Sequence, residues 1–598
     1  MGNIYTDRIE ALRKELDKND ANWYLATTSD PHGSEYINDH YKVRAYLSGF
    51  TGSNGDLLIG PEGVWLWTDG RYFVQAKNEL EGSGIELMCM SNEGVPELRD
   101  FLKEKVLEGD VLMFNGQLID AETGVEIRDI LKEKGAFLLA GADPADAVWE
   151  DRPKDSSGKI KILPENLCGE KYEDKLSKVR MRMKDAKCNI HIISALDDQM
   201  WLFNIRGCDI RYNPVAYAYT VITEEEVKLY LKEEAVTDEL LAYAGENGIE
   251  LRSYSEFYRE LKADEDSLVL ADPAYTNYLM VRLLEKQGAK IKFERNPSTD
   301  LKAVKNETEK ENTRRVYLKD SLILTRFLKY MKEWGAKDKI TEYEAALMLD
   351  RMRLEDEECD DLSFTTISAC GANAAMMHYE APKEGSAVIN ENEVYLVDSG
   401  GQYAGGTTDV TRTLIPKNAS AELKKHFTKV CAGTLALQNA VFLKGVSGRN
   451  LDILAREPLW ELHTDYKCGT GHGVGYMLNV HEGPQYIRPK KYRNDAEADM
   501  AVGVVISDEP GVYIEGSYGI RIENILMCES RGKNSDGEFL GFEALTYVPI
   551  DLDGIDTAYL EDKERKQLNE YHRAVREKLS PFMNDEEKAW LENATREV

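Results

Sequence analysis

The sequence predicts an α/β (α+β) protein in which two α/β regions precede a third region rich in carboxylates. Residues 1–155 alternate apolar strand-like runs with amphipathic stretches, and residues 156–305 repeat this rhythm. A long helical pattern then begins at residue 306 and leads into β-rich sequence. Because 598 residues exceed one hydrophobic core, we expect three domains, at 1–155, 156–305 and 306–598.

The first two regions share a pattern that indicates a diverged internal repeat. In the first region, NWYLATTSD, VWLWT, DVLMFNG and GAFLLAG are predicted strands. In the second region, the helix YEDKLSKVRMRMKDAKC precedes NIHIISALD, a strand that aligns with NWYLATTSD. We therefore expect the two regions to have related folds.

The third region begins with a predicted helix that runs to Trp334. Asn306 and Glu309 have the spacing of a capping box at its start, and ERNPSTDLK before it is a predicted linker. Further helices are predicted in EYEAALMLDRMR, in AELKKHFTKVCAGTLALQNAV, in LDILAREPLWEL and in the C-terminal tail.

The charge and the cysteines limit the classes of partner. A formal net charge of −32 argues against nucleic acid or an anionic membrane as a partner, and fits either a well-solvated surface or attraction of cationic peptide N-termini. Nine scattered cysteines without a CxxC pair favour reduced thiols and a cytoplasmic location. No run approaches the roughly 20 apolar residues of a membrane span.

Asp398 and Asp409 lie in two β-type segments, VYLVDSG and TDVTRTLI, joined by a glycine-rich link. If these strands pair about Tyr403–Ala404, the two aspartates are direct partners and point into one site.

Glu509 and Glu523 repeat this arrangement in VVISDEP and YGIRIENILM. In the second strand Ile520 and Ile522 alternate with Arg521 and Glu523, which predicts a half-buried strand. Arg521 is then placed to orient a carboxylate ligand.

His472 stands among glycines in GTGHGVG, where the backbone can approach a metal or a substrate closely. Each carboxylate alone would fit a surface acid, but four carboxylates and one imidazole together predict a site for two divalent ions. Such ions would supply a bridging hydroxide nucleophile near neutral pH.

These segments resemble the M24 or "pita-bread" metallopeptidases, and most closely the cytosolic three-domain aminopeptidase P group. The resemblance includes SGFTGSNG, WTDGRYFVQA, MWLFNIRG, KAVKN, TTISACGANAAMMHY and GTGHGVGYMLNVHEGP, and so covers nearly the whole chain. It implies two related N-terminal domains of the creatinase/prolidase type before a pita-bread catalytic domain, and usually a homodimer.

The resemblance also implies the metal ligands, which map onto Asp398, Asp409, His472, Glu509 and Glu523. Asp409 and Glu523 would bridge two ions, usually Mn²⁺. Asp398 would serve one ion, while His472 and Glu509 would serve the other.

Two further histidines match the substrate histidines of that group, His378 in MMHYEAP and His481 in NVHEGP. The implied reaction releases the N-terminal residue from peptides with proline at the second position, with the bridging hydroxide attacking the scissile carbonyl. His378 and His481 would stabilise the oxyanion and bind substrate together with Arg521, and Glu509 would carry the proton to the leaving nitrogen.

Two alternatives remain open. A prolidase would cleave Xaa-Pro dipeptides only, although prolidases usually carry one extra α/β domain rather than two. A non-catalytic scaffold of the same family would be expected to lack metal ligands.

Cys468 departs from the usual pattern of the group, since HGTGHG is replaced by CGTGHG. A thiol cannot carry the positive charge of an imidazolium. We expect Cys468 to form a neutral wall of the pocket, with a metal contact or a redox-sensitive group as alternatives.

Overall fold

A computed structural model describes residues 3–335, 337–490 and 498–598. The chain forms two compact units. Met1–Leu163 and Glu170–Thr299 make up the first, and Pro164–Gly169 and Asp300–Val598 the second.

The first unit contains a six-stranded sheet whose strand order is β4-β3-β2-β1-β5-β6. Its strands are β1 (Trp23–Thr27), β2 (Asp56–Ile59), β3 (Val64–Thr68), β4 (Glu86–Cys89), β5 (Val111–Asn115) and β6 (Phe137–Gly141). The helices along this part are α1 (Ile4–Asp17), α2 (Val43–Ser48), α3 (Phe73–Glu79), α4 (Leu98–Lys105) and α5 (Ala121–Lys134). Leu57, Leu58 and Leu66 of the central strands are fully buried between the helices.

A second six-stranded sheet in this unit has the order β12-β11-β10-β8-β13-β14. The strands here are β7 (Lys161–Ile162), β8 (Ile190–Ile193), β9 (Ile205–Arg206), β10 (Ala218–Thr223), β11 (Val227–Leu231), β12 (Glu250–Ser253), β13 (Leu268–Ala271) and β14 (Lys290–Phe293); β7 and β9 form a separate pair. The helices are α6 (Glu165–Cys168, part of the second unit), α7 (Tyr172–Asp185), α8 (Leu196–Leu202), α9 (Asp238–Glu246), α10 (Phe257–Glu260), α11 (Tyr278–Lys286) and α12 (Pro297–Ala303).

The two sheets have the same topology. The central strand β1 pairs antiparallel with β2 and parallel with β5, and the central strand β8 likewise pairs antiparallel with β10 and parallel with β13. The remaining neighbours repeat the same directions. The predicted internal repeat is therefore confirmed, and the segments aligned from the sequence are the two equivalent central strands.

The second unit begins with helix α13 (Glu307–Tyr330), which continues as a π-helical turn at Met331–Gly335. The predicted capping box is confirmed, because Asn306 and Glu309 each bond the other's backbone N–H. The predicted linker before it is wrong in part, since Pro297–Ala303 is helical. Proline there occupies the first turn of a helix, where its missing N–H costs nothing.

The other helices of the second unit are α14 (Glu342–Leu354), α15 (Ala421–Gln438), α16 (Gly448–Trp460), α17 (Asp562–Leu579) and α18 (Asp585–Ala594). Its strands are β15 (Cys359–Leu362), β16 (Ile367–Cys370), β17 (Tyr395–Ser399), β18 (Gly401–Tyr403), β19 (Gly406–Thr407), β20 (Val410–Leu414), β21 (Val441–Leu443), β22 (Gly471–Gly473), β23 (Glu482–Ile487), β24 (Val505–Asp508), β25 (Gly511–Ile514), β26 (Tyr518–Arg521), β27 (Asn524–Asn534) and β28 (Gly537–Ala544).

Buried apolar side chains hold these strands between helices. Phe327 of α13 belongs to one core with Val397 of β17 and Ile525 of β27. Phe427 of α15 belongs to a second core with Ile520. These strands therefore contribute to two separate cores, one with α13 and the other with α15. In the described part of the chain, we find no helix with the length and apolarity required to cross a membrane.

Candidate metal centre

Asp398 and Asp409 lie on the hairpin formed by β17 and β20, but they are not direct partners. Asp398 pairs with Thr411, because the turn is centred on Ala404–Gly405 instead of one residue earlier. Gly405 has a φ of 113°, which other residues rarely adopt, and so fixes the turn at this point. The predicted register is wrong by two residues, but a shift of two keeps the alternation of faces, and Asp409 stays on the face of Asp398.

Glu509 and Glu523 lie opposite each other in a second hairpin. Asp508 pairs with Asn524 at the end of one ladder and Gly511 pairs with Arg521 at the start of the next. The same register continues through both ladders, so the two glutamates face each other in the gap between them. The predicted continuous strand is interrupted at this gap.

The prediction of a half-buried strand around Glu523 is wrong. Ile520 and Ile522 are fully buried in the α15 core, but Arg521 is only 3% exposed and Glu523 only 1%. The alternation seen in the sequence separates an apolar core from a buried polar site, rather than a core from solvent.

His472 presents one ring nitrogen to these carboxylates. Its Nδ1 lies 3.0 Å from the carbonyl oxygen of Gly473, which can only accept, so Nδ1–H donates there. Nε2 lies 3.3 Å from Glu509 Oε1 and 3.5 Å from Asp409 Oδ2. Hydrogen bonding through Nδ1 is the arrangement that prepares a histidine to ligate a metal through Nε2.

Three of the five predicted ligands meet at one point. One ligand atom each from Asp409, His472 and Glu523 lies within 4.8 Å of the other two. Glu509 joins this group through its contact with His472. Asp398 is close enough for its charge to raise the pKa of Asp409.

The electrostatics of this cluster fit a site for cations. Burial, and then the charges of Asp398 and Glu509, raise the pKa of Asp409 well above its usual value. Burial and the charge of Asp409 do the same to the pKa of Glu523. Among the described residues, Asp398 Oδ1 and Glu523 Oε1 have no hydrogen-bond partner. Buried carboxylate oxygens without donors are the atoms that divalent cations would satisfy.

Arg521 is a positively charged side chain that lies among these carboxylates. Its Nη2 donates to Asp398 Oδ2 over 2.6 Å, and its Nη1 donates to the hydroxyl of Tyr513 over 2.7 Å. Its Nε donates to Thr411 Oγ1 over 3.0 Å, and that hydroxyl donates to Glu523 Oε2 over 2.8 Å. Arg521 therefore orients one carboxylate directly and a second one through Thr411.

His481 lies against the cluster, and His378 follows a residue that contacts Arg521. The ring of His481 makes an edge-on contact with the ring of His472, with centroids 4.3 Å apart. His378 is half-buried and follows Met377, whose carbonyl oxygen lies 3.4 Å from Arg521 Nη2. Both histidines thus lie in segments that border the carboxylates.

Cys468 lies in a loop that is held by Arg456. Nη2 of Arg456 donates to the Cys468 carbonyl over 2.8 Å, and its Nε donates to Asp452 over 2.8 Å. Asp452 also accepts from Thr470, whose carbonyl receives the N–H of Glu509 over 2.8 Å. Cys468 is half-buried and, like Tyr513, packs against the apolar core that includes Val512 and Ile520.

Several residues that support the site were not predicted. Tyr513 holds Arg521, and Ser507 joins two ligand segments, because its hydroxyl accepts from the His472 N–H and donates to Glu509. Tyr513 lies within the DEPGVY motif, and its position two residues from Gly511 on a strand could have placed it on the face of the site. Ser507 gave no sequence signal beyond its proximity to Glu509.

Comparison with known proteins gives matches over nearly the whole chain. Residues 311–530 match the model of metallopeptidase family M24, and residues 538–598 match the C-terminal region of peptidase M24. Residues 8–138 and 151–309 each match a creatinase/prolidase N-terminal domain.

Two curated relatives are probable Xaa-Pro aminopeptidase P proteins from fungi. The protein from Coprinopsis cinerea is 36% identical over 615 residues, covering 99% of this chain and 98% of the relative. That from Pyricularia oryzae is 37% identical over 614 residues, covering 99% of each chain. Among solved structures, X-prolyl aminopeptidase from Caenorhabditis elegans, described as a cytosolic enzyme with a di-nuclear active site, matches with a TM-score of 0.94 at 32% identity, covering 99% of this chain and all of that one.

Proposed function

This chain belongs to metallopeptidase family M24, in its Xaa-Pro aminopeptidase P group, and from that premise we propose that it releases the N-terminal residue from peptides with proline at the second position. The observation that carries the proposal is the buried group of Asp409, His472 and Glu523, with Glu509 beside it. The full-length similarity to Xaa-Pro aminopeptidase P proteins supports the choice of substrate.

We propose that the metal ligands are Asp398, Asp409, His472, Glu509 and Glu523. When bound, two divalent ions would act as Lewis acids on the scissile carbonyl and lower the pKa of a water molecule. The carboxylate-rich donor set supports Mn²⁺ as the metal. The unpartnered oxygens of Asp398 and Glu523 support the fit of cations to this set.

The substrate's free α-amine is proposed to bind beside Asp398. Arg521 donates to Oδ2 of that carboxylate, while Oδ1 has no hydrogen-bond partner among the described residues. This arrangement supports a role for Oδ1 in contacting a cation or an ammonium group. Arg521 would therefore contribute to substrate binding by fixing this carboxylate.

His481 and His378 are proposed to donate hydrogen bonds to the oxyanion that develops at the scissile carbonyl and to hold the proline side of the substrate. The ring contact between His481 and His472 supports this placement for His481. Protein donors fixed before the reaction begins stabilise such charge without reorganisation.

Glu509 is proposed to carry a proton to the leaving nitrogen. As in any amide hydrolysis, the leaving nitrogen must gain a proton before it can leave. The side chain of Glu509 is 20% exposed, against 6% for Asp409 and 11% for His472, which supports a role in proton exchange.

We also propose a homodimer in the cytoplasm, with domains at 1–155, 156–305 and 306–598. Two sheets of the same topology in the first unit support the first two domains.

The nine thiols and the cytosolic C. elegans relative support the proposed cytoplasmic location. The acidic surface supports peptides, rather than nucleic acid or anionic membranes, as partners.

The test is hydrolysis of Ala-Pro-Ala after chelation and after add-back of Mn²⁺, Co²⁺ or Zn²⁺. We expect the protein to stop releasing alanine from Ala-Pro-Ala when the metal is chelated, and to release it again when a divalent ion is added back. We expect no release of alanine from Ala-Ala-Ala. Cleavage of Ala-Pro without cleavage of Ala-Pro-Ala would instead identify a prolidase. A protein that retains no metal and cleaves neither peptide would be a scaffold.

A further inference from the structure

Three charged side chains lie buried together in the second unit, in addition to the candidate metal centre. Lys302, Lys305 and Glu482 are 4%, 3% and 3% exposed. Lys305 Nζ contacts Glu482 Oε2, and Lys302 Nζ lies 3.8 Å from Glu482 Oε1. The two lysines come from KAVKN, a motif to which the proposed mechanism gives no role.

Burying three charges is costly, and an ion pair of this kind is weak evidence for stability. Desolvation of each ion costs several kcal/mol, and hydrophobic replacements of buried ion pairs are often equally stable. The position of Glu482 in the chain indicates another role for the cluster. Glu482 directly follows His481, which contacts His472.

The strand that carries Glu482 pairs irregularly with its neighbour in the sheet. Strand β23 pairs with β22 through His472↔Tyr486 and then Gly473↔Glu482, so residues 483–485 have no counterpart on β22. The regular ladder is thus interrupted next to His481. The ion pair of Glu482 with Lys305 gives this residue a second attachment, in addition to its ladder pairing with Gly473.

The backbone of the Lys305 segment pairs with the chain just before the strand that leads to Glu509. The N–H of Lys305 donates to the Gly503 carbonyl over 3.0 Å, and Val304 forms an isolated bridge with Val504. Val504 leads directly into β24. The KAVKN segment therefore connects the strand that precedes Glu509 with the strand that follows His481.

We propose that Lys305, together with Lys302, is a positioning residue that fixes His481 against His472 by holding Glu482. This inference rests on the proposed function only for the catalytic role of His481. In this assignment the lysines act through Glu482, which both of them contact.

The first test replaces the whole cluster by neutral groups of similar size, Lys302→Met, Lys305→Met and Glu482→Gln. Because Glu482 and both of the lysines that contact it are neutralised together, the melting temperature is expected to stay within a few degrees of the wild type. We expect kcat for Ala-Pro-Ala to fall about 10–100-fold, the range typical for residues that orient a metal site from outside it, with a smaller change in KM.

The second readout does not depend on activity. In protein stripped of metal, carbethoxylation of His481 by diethyl pyrocarbonate, measured by mass spectrometry, is expected to be several-fold faster in the triple variant. If the triple variant does not fold, Lys305→Met leaves Lys302 and Glu482 as a balanced pair, and the same two changes are expected.

The matched control is Lys310→Met with Glu307→Gln, an ion pair on helix α13 whose glutamate side chain is 83% exposed. It is expected to leave kcat and labelling unchanged. A folded cluster variant with wild-type kcat and wild-type labelling of His481 would overturn the inference. Inactive wild-type protein would instead refute the proposed function, while the labelling comparison would still decide the positioning role.

Discussion

His32 in the first unit and Asp398 in the second are both buried ionisable side chains, yet their surroundings differ. His32 has a partner for each ring nitrogen, the Ser194 carbonyl at 2.9 Å and the Tyr254 hydroxyl at 2.7 Å. Asp398 has Arg521 on one oxygen and, among the described residues, no partner on the other.

The pKa shifts follow the same division. Burial lowers the pKa of His32 to about 3, so the ring is neutral and its hydrogen bonds are those of a structural residue. Burial and neighbouring carboxylates raise the pKa of Asp409 and of Glu523. The difference teaches that fully satisfied polar groups hold a fold, whereas crowded and unsatisfied ones indicate a ligand.

The largest expected effect comes from neutralising the crowded carboxylates. Asp409→Asn or Glu523→Gln should reduce kcat for Ala-Pro-Ala by about 1,000-fold or more, because each change would remove a carboxylate proposed to hold the metal ions. In chelator the same variants should melt at the same or a higher temperature than the wild type. A carboxylate whose folded pKa is raised destabilises the metal-free fold at neutral pH, and its amide does not.

Activity assays, metal analysis and thermal melting together check this prediction. Glu391→Gln, an exposed loop residue, is the control and should leave all three unchanged. Retained turnover in either ligand variant would overturn the ligand assignment.

A fully paired buried carboxylate in the second unit should behave in the opposite way. Asp320 accepts from Arg353 Nε over 2.7 Å and from the Tyr403 hydroxyl over 2.7 Å, and both charged side chains are 0% exposed. Asp320→Asn should lower the free energy of unfolding by about 3–5 kcal/mol, because Arg353 is left with an uncompensated buried charge.

Urea denaturation of the full chain measures this loss. Glu586→Gln removes an ion pair whose carboxylate side chain is 81% exposed, and should cost less than about 1 kcal/mol. Equal effects of the two substitutions would break the proposed distinction between paired and exposed charges.

A smaller effect is expected when pH is lowered, on the free energy of unfolding of the first unit. His191 is fully buried, its Nδ1 lies 3.0 Å from the Leu270 carbonyl, and burial lowers its pKa to about 4. The unfolded chain gains a proton below about pH 6.5 while the folded ring stays neutral, so stability falls as pH drops from about 6.5 to 4, by up to about 3 kcal/mol.

His191→Asn keeps an N–H donor for Leu270 but cannot titrate, and should make this loss shallower. Tryptophan fluorescence during urea unfolding at pH 7 and pH 5 measures it, since five of the eight tryptophans lie in the first unit. His463→Asn, at an exposed position, is the control and should leave the pH dependence unchanged.

The smallest expected effect is at Cys468. Replacing this thiol by the imidazole that is usual in the group, Cys468→His, should move the pH profile of kcat/KM and leave metal content unchanged, because a titrating group would enter what we expect to be a neutral wall of the pocket. An unchanged profile would remove the proposed link between Cys468 and pH response.

Local patterns predicted the elements well, while features set by distant contacts escaped prediction. The strands of the two sheets and the Asn306 capping box depend on periodicity and on spacing within a few residues. The register of Asp398 depends on the position of a glycine turn, which sequence alternation does not locate. The contact of Lys305 with Glu482 joins residues 177 positions apart, and no local signal links them.

The ligand candidates could be assembled from sequence because each lies in a short motif with its own signal. Their mutual placement could not, since it depends on two hairpins and the His472 loop converging. The half-buried appearance of the strand at Glu523 shows the physical reason: alternation reports two different faces, and a polar cavity produces the same pattern as solvent.

The short segment Pro164–Gly169 belongs to the second unit although the chain on both sides of it belongs to the first. Its Leu167 carbonyl accepts from the Tyr476 hydroxyl over 2.8 Å, and its Cys168 carbonyl accepts from Asn306 over 2.9 Å. During synthesis this segment leaves the ribosome roughly 10–30 seconds before α13 does, at about 5–20 residues per second. The second unit therefore includes a segment that is synthesised before the rest of that unit. A shortened gene that starts at residue 300 would encode the second unit without this segment.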